Sequence, residues 1–237
     1  MAAAPKTRIA VVLALVGALL AVACSSSSDA RTSGTNLLFA ADDGTVLHGR
    51  VYGSGPTGVL LVHDFGSDQG VWQTFARNLT DRGFMVLTYD MRGHGSSPGV
   101  REPGIADADA AAAMRYMRKS LSKEQLFLVG EGLGGIAALK VASREKVLGV
   151  ASISSPATYR GVTALNDIPR ITSPKLFVAS EGDVDAKDAA RAFQEKAKDA
   201  EVAVFPGNAK GAALLGPGPG SAAKDKVQQF LDANKPK

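Results

Sequence analysis

Short apolar runs alternate along this chain with longer segments whose apolar residues recur at helical spacing. The runs Asn36–Ala40, Val46–Tyr52, Gly58–His63, Met85–Tyr89, Gln125–Val129, Val147–Ile153, Lys175–Ala179 and Glu201–Phe205 predict strands. Val71–Asp81, Ile105–Ser120, Leu133–Arg144, Asp185–Ala200 and Ala222–Asn234 predict helices. The strands after residue 58 are apolar on both faces, as parallel strands covered by helices must be. The two earlier ones alternate with polar residues. The pattern therefore predicts an α/β fold: a mostly parallel sheet of about eight strands, an antiparallel N-terminal edge and helices on both faces. Between Ile153 and Lys175 the chain is short and carries Pro156, Pro169 and Pro174, too little for a helical lid. Asp185 is the expected cap of the helix it opens, with Asp188 in the first turn. Gly207 to Gly220, with five glycines and two prolines, predicts an irregular loop.

The N-terminal pattern is of another kind. Lys6 and Arg8 precede an unbroken apolar or small run from Ile9 to Ala23, and Cys24 follows. Short length and these flanks predict a signal peptide over 1–23 rather than a spanning helix. Ala21-Val22-Ala23-Cys24 resembles a bacterial lipobox, which implies lipidation at Cys24; plain signal cleavage beside an incidental cysteine is the other reading. Residues 24–35, small and polar from Ser25 on, suit a flexible tether, leaving 36–237 as one domain. The expected location is extracytoplasmic, anchored to the bacterial cell membrane through Cys24. Ser25, rather than Asp, after the cysteine is compatible with the outer membrane where one exists.

Cys24 is the only cysteine, so a disulfide within the domain is excluded and stability must come from a packed core. The formal net charge is +4, of which Lys6 and Arg8 supply two. Basic residues alternate with acids, as on solvated helix faces, which argues against a nucleic-acid partner. No C-x-x-C or H-x-x-x-H pattern occurs, so no metal or other cofactor is expected.

Candidate chemistry centres on Gly130-Glu131-Gly132-Leu133-Gly134-Gly135, between an apolar strand and a helix. That is the setting of a G-x-S-x-G nucleophile elbow, with glycine at the serine position. Four further stretches carry a resemblance. They are Leu60-Leu61-Val62-His63-Asp64-Phe65-Gly66, Tyr89-Asp90-Met91-Arg92-Gly93-His94-Gly95-Ser96-Ser97, Ser180-Glu181-Gly182-Asp183 and Pro206-Gly207-Asn208-Ala209-Lys210-Gly211. Together with the elbow they resemble the α/β-hydrolase family: the His-Gly-x-Gly oxyanion strand, with Asp64 replacing the first glycine; the D-x-R-G-H-G-x-S turn; the turn of the triad acid; and the P-G-x-x-H-G turn of the triad histidine. The resemblance implies lidless serine esterases, similar to acylglycerol lipases or dienelactone hydrolases. It assigns Gly132 to the nucleophile position, Asp183 to the acid and Lys210 to the histidine. It also assigns the oxyanion amides to Phe65 and Leu133.

The departures have direct chemical consequences. An elbow serine attacks when histidine takes its proton and backbone N–H groups hold the oxyanion. Glycine has no nucleophilic atom, and a protonated lysine is not a ready base unless burial depresses its pKa. The three histidines, His48, His63 and His94, all precede the elbow, so none completes a triad in family order. An Asp183–Lys210 ion pair is the expected remnant; Asp183 as a mere helix-starting turn residue is the alternative. His63, at a strand end beside the expected pocket, is a candidate ligand contact, with packing under the oxyanion loop as the other reading. His94 is expected to be structural, and His48 to reach solvent.

The reading that follows is a lipid-anchored pseudo-hydrolase whose pocket holds a small acyl, carbonyl or anionic ligand, or a protein partner, without cleaving it. Two alternatives stand beside it. One is an active ester hydrolase using Ser154, Ser155 or Ser97 with Lys210 as base; the other is a structural envelope lipoprotein. Gly130, Gly132 and Gly135 also spell G-x-G-x-x-G, but the next strand ends in Ile153-Ser154-Ser155, without the acid a dinucleotide ribose requires.

Overall fold

The computed structural model describes residues 34–197, 199–216 and 221–236. The signal segment, Cys24 and the tether up to residue 33 lie outside the described residues. Eight strands form one sheet: β1 (Thr35–Ala40), β2 (Val46–Tyr52), β3 (Thr57–Val62), β4 (Phe84–Tyr89), β5 (Leu126–Glu131), β6 (Gly149–Ile153), β9 (Lys175–Ser180) and β10 (Ala200–Phe205). Their order is β1-β2-β4-β3-β5-β6-β9-β10. β1 pairs antiparallel with β2, and β2 with β4; every other pairing is parallel. The predicted α/β sheet with its antiparallel N-terminal edge is thus the observed one.

The two-residue period of the strands decides which side chain enters which core. Leu60 and Val62 of β3, with Leu126 and Leu128 of β5, face one layer. That layer is built by α2 (Ala106–Lys119), α3 (Gly132–Ala142) and α4 (Val184–Lys196). Val59 and Leu61, with Phe127 and Val129, face the other, where α1 (Gln73–Thr80) and α5 (Ser221–Asn234) pack. α3 is buried nearly all round because it lies against β5 and β6 on one side and α2 on the other.

The turn after β4 is braced by its own charges. Arg92 Nη2 donates to Asp109 Oδ1 of α2 at 2.7 Å, and Asp109 is fully buried. Asp90 accepts from the backbone N–H groups of Gln69 and Ser96, each at 2.9 Å.

Several boundaries moved. The segment expected as one helix over 71–81 is a 3₁₀ turn, Gln69–Trp72, followed by α1. α4 stops at Lys196 rather than 200, because Ala197 is extended and Asp199 turns the chain at φ +61° into β10. α4 begins one residue earlier than expected, so Asp185 lies inside its first turn instead of capping it. A ribbon of β7 (Thr158–Tyr159) and β8 (Val162–Thr163) went unforeseen, since two-residue strands leave no periodicity. No helical lid interrupts the segment from 154 to 174. Among the described residues, no helix is long and apolar enough to cross a membrane.

Candidate active-site cleft

β5 delivers its last residue, Glu131, to the carboxyl edge of the sheet, and the chain reverses into α3 at Gly132. Gly132 holds φ +53°, a backbone that L side chains adopt only under strain. Gly134 is required for another reason: a Cβ there would stand 2.7 Å from the Val62 carbonyl carbon and closer to the oxygens of Val62 and His63. Of the G-x-G-x-x-G glycines, Gly132 is thus set by the elbow. A Cβ at Gly130 would stand 2.6 Å from Gly135 N and one at Gly135 2.7 Å from Ser152 Oγ, so close packing at the start of α3 accounts for the other two.

The space a nucleophile would need is already filled. Asp64 Oδ1 accepts the Leu133 backbone N–H at 2.7 Å. A Cβ added at Gly132 would lie 2.9 Å from Asp64 Cβ and closer still to its Oδ1 and Cγ. This corrects the expectation of an open oxyanion amide at Leu133: an internal carboxylate occupies it. Phe65, the other amide candidate, places its ring in an aromatic cluster with His94 and Tyr159, under the Arg160 guanidinium.

Glu131 is a second acid the sequence reading passed over. Its Oε1 accepts from Ser67 Oγ at 3.2 Å and, at a long 3.4 Å, from Asp64 N; its Oε2 accepts from Ala212 N. One buried carboxylate thus ties the oxyanion-side loop and the loop after Lys210 to the end of β5. Burial raises its pKa above the usual glutamate value, against the lowering by its backbone donors. Its place beside Gly132 in the strand–turn–helix motif was the signal the sequence offered.

The structure brings Asp183 and Lys210 together, with Lys210 Nζ 3.0 Å from Asp183 Oδ1. The Asp183 side chain is 5% exposed and the Lys210 side chain 62%. Asp183 stands at the N-cap position of α4 but makes no capping hydrogen bond, so its side chain serves the ion pair. Lys210 is exposed and carries a counter-ion, the opposite of the dry, unpaired setting a lysine base requires.

His63 does not reach the cleft. It is fully buried, with Nδ1 2.7 Å from the Asp64 carbonyl oxygen and Nε2 accepting the Met91 N–H at 3.0 Å. That pairing requires the proton on Nδ1, and burial lowers the pKa from 6.5 to about 4. The pocket-contact expectation for His63 is corrected accordingly. His94 is also buried, its two ring nitrogens against the carbonyl oxygens of Arg92 and Phe65. Among the serines, Ser97 Oγ donates to Asp90 O at 2.6 Å while accepting His48 N–H, and Ser155 Oγ pairs with Ser152 Oγ at 2.7 Å. Ser154 differs: it lines the cleft, holds φ +48°, and its buried hydroxyl has no partner among the described residues.

The cleft has a volume of about 800 Å³. Asp64, Glu131, Asp183, Asp185 and Lys210 bring charge to its wall beside Gly132. Among the described residues, no group of histidines, cysteines and acids is arranged to hold a metal ion.

Residues 56–176, just over half of the chain, match the sequence family Hydrolase_4, described as serine aminopeptidase, S33. The chain belongs to this family of α/β-hydrolases. It is 34% identical over 100 residues to the RutD protein of Variovorax paradoxus, covering 42% of this chain and 38% of that one. It is 31% identical over 130 residues to the pimeloyl-[acyl-carrier protein] methyl ester esterase of Methylococcus capsulatus, covering 55% and 42%. The chain thus spans about two fifths of the length of the curated relatives it matches. In fold it is similar to an esterase of Pyrococcus furiosus, with TM-score 0.74 and 16% identity, covering 87% of this chain and 93% of that one.

Proposed function

We propose that this protein is an exported, lipid-anchored member of the α/β-hydrolase family that binds a small ligand in its cleft and does not cleave it. The observation that carries the reading is the Asp64 carboxylate, which holds the Leu133 amide at 2.7 Å and stands over Gly132. Acyl transfer needs a nucleophile atom at the elbow and a free amide for the oxyanion. Here the first is absent and the second is engaged. Lys210, in the histidine turn, is committed to Asp183. Export and anchoring are supported by the basic start, the apolar run and Cys24 at its end.

A residual hydrolase reading is favoured by one observation only, the strained, unpartnered Ser154 in the cleft. Both readings are tested on the full chain in neutral detergent with a fluorophosphonate label and short acyl nitrophenyl esters. The expected result is no labelled serine and hydrolysis at the buffer rate. Stoichiometric labelling of Ser154, with turnover lost in Ser154→Ala, would overturn the non-catalytic reading.

A further inference from the structure

We infer that the cleft selects a small organic cation, an ammonium group on a compact apolar body, over neutral or anionic compounds of the same size. This deepens the proposed function and rests on its non-catalytic reading. Four carboxyl side chains, Asp64, Glu131, Asp183 and Asp185, line the cleft against one cation, Lys210. That cation is already neutralised by Asp183. The amide that would attract an anion in an active relative is spent on Asp64 Oδ1. Among the described residues Asp64 Oδ2 accepts no hydrogen bond, and Asp185 is exposed without an ion-pair partner.

A second observation, independent of the acids, also points to a ligand. Ser154 lines the same cleft, is nine-tenths buried, and among the described residues its hydroxyl, on a left-handed backbone, has no partner. Buried polar atoms are nearly always satisfied, and strain of this kind gathers at ligand sites. Val71, Phe75, Tyr159 and Leu215 supply apolar wall for the body of such a ligand. An anion would meet carboxylates and, among the described residues lining the cleft, no unengaged cation, and like charges in a partly dry cleft are strongly disfavoured.

The test is calorimetry on the full chain in neutral detergent with three probes alike in size: benzylammonium, benzyl alcohol and benzoate. Benzylammonium is expected to bind about tenfold or more tightly than benzyl alcohol, with benzoate weaker than both. Asp64→Asn keeps an oxygen for the Leu133 amide and removes the charge. It should weaken benzylammonium about tenfold and leave benzyl alcohol unchanged. If that variant does not fold, Asp185→Asn on the exposed rim should shift benzylammonium alone in the same direction. Benzoate binding as well as benzylammonium, no binding of benzylammonium, or indifference to both substitutions would overturn the inference. None of these results labels a serine, so the non-catalytic reading would stand or fall separately on the fluorophosphonate result.

Discussion

At position 132 two demands compound: a backbone at φ +53° and a carboxylate standing where the first side-chain atom would go. Either alone favours glycine; together they make the return of a serine costly. Gly132→Ser should destabilise the protein by about 1–3 kcal/mol, partly from the left-handed backbone and partly from displacing Asp64. In Asp64→Gly the second part is gone, so the Gly132→Ser cost measured by urea unfolding should be smaller there, a non-additive pair. Equal costs in both backgrounds would show that Asp64 does not crowd the elbow. By the same geometry, Gly132→Ser with Lys210→His should remain without esterase activity while Asp64 is present. The absence of serine at 132 and of histidine at 210 was legible residue by residue. The blocking acid was not: Asp64 looked like a replaced glycine in a loop, and its partner Leu133 lies 69 residues further along the chain.

At the scale of elements, His63 joins the end of β3 to the turn after β4 through the Met91 N–H. Its pKa in the fold is lowered from 6.5 to about 4 by burial. Between these values the unfolded chain binds a proton that the folded protein refuses, so stability falls as the pH drops from 6.5 towards 4 and levels below. The full effect is about 3 kcal/mol. Glu131, whose pKa is raised by burial, has the opposite sign and gains stability as it protonates, partly offsetting the loss at the acid end. Urea midpoints across this range should fall with pH in the wild type and fall much less in His63→Gln, whose side-chain oxygen can still accept the Met91 N–H. An unchanged slope in the variant would remove His63 from the account. Apolar strands such as Leu60-Leu61-Val62 were readable because both faces are buried. Element ends were read less well: the helical pattern of α4 runs on past Lys196 towards the alanine that starts β10, and the left-handed Asp199 just before that alanine leaves no mark in the pattern.

For the whole molecule, the proposed anchor puts a folded domain on a short polar tether from Cys24. Labelled palmitate should appear on the wild type and not on Cys24→Ser. Label on the serine variant, or none on the wild type, would refute lipid anchoring at this residue. Periodicity by itself determined the order of strands and helices and the antiparallel edge, because burial on one or two faces writes a period into neighbouring residues. The glycine at 132 and the lack of any histidine after His94 in the given sequence were likewise sequence facts. Only the tertiary structure decided what fills the cleft. Asp64 reaches Leu133 across 69 residues, and Glu131 reaches Ala212 across 81. Such contacts join separate loops at the sheet edge, and nothing in the local pattern around either acid says where its carboxylate will come to rest.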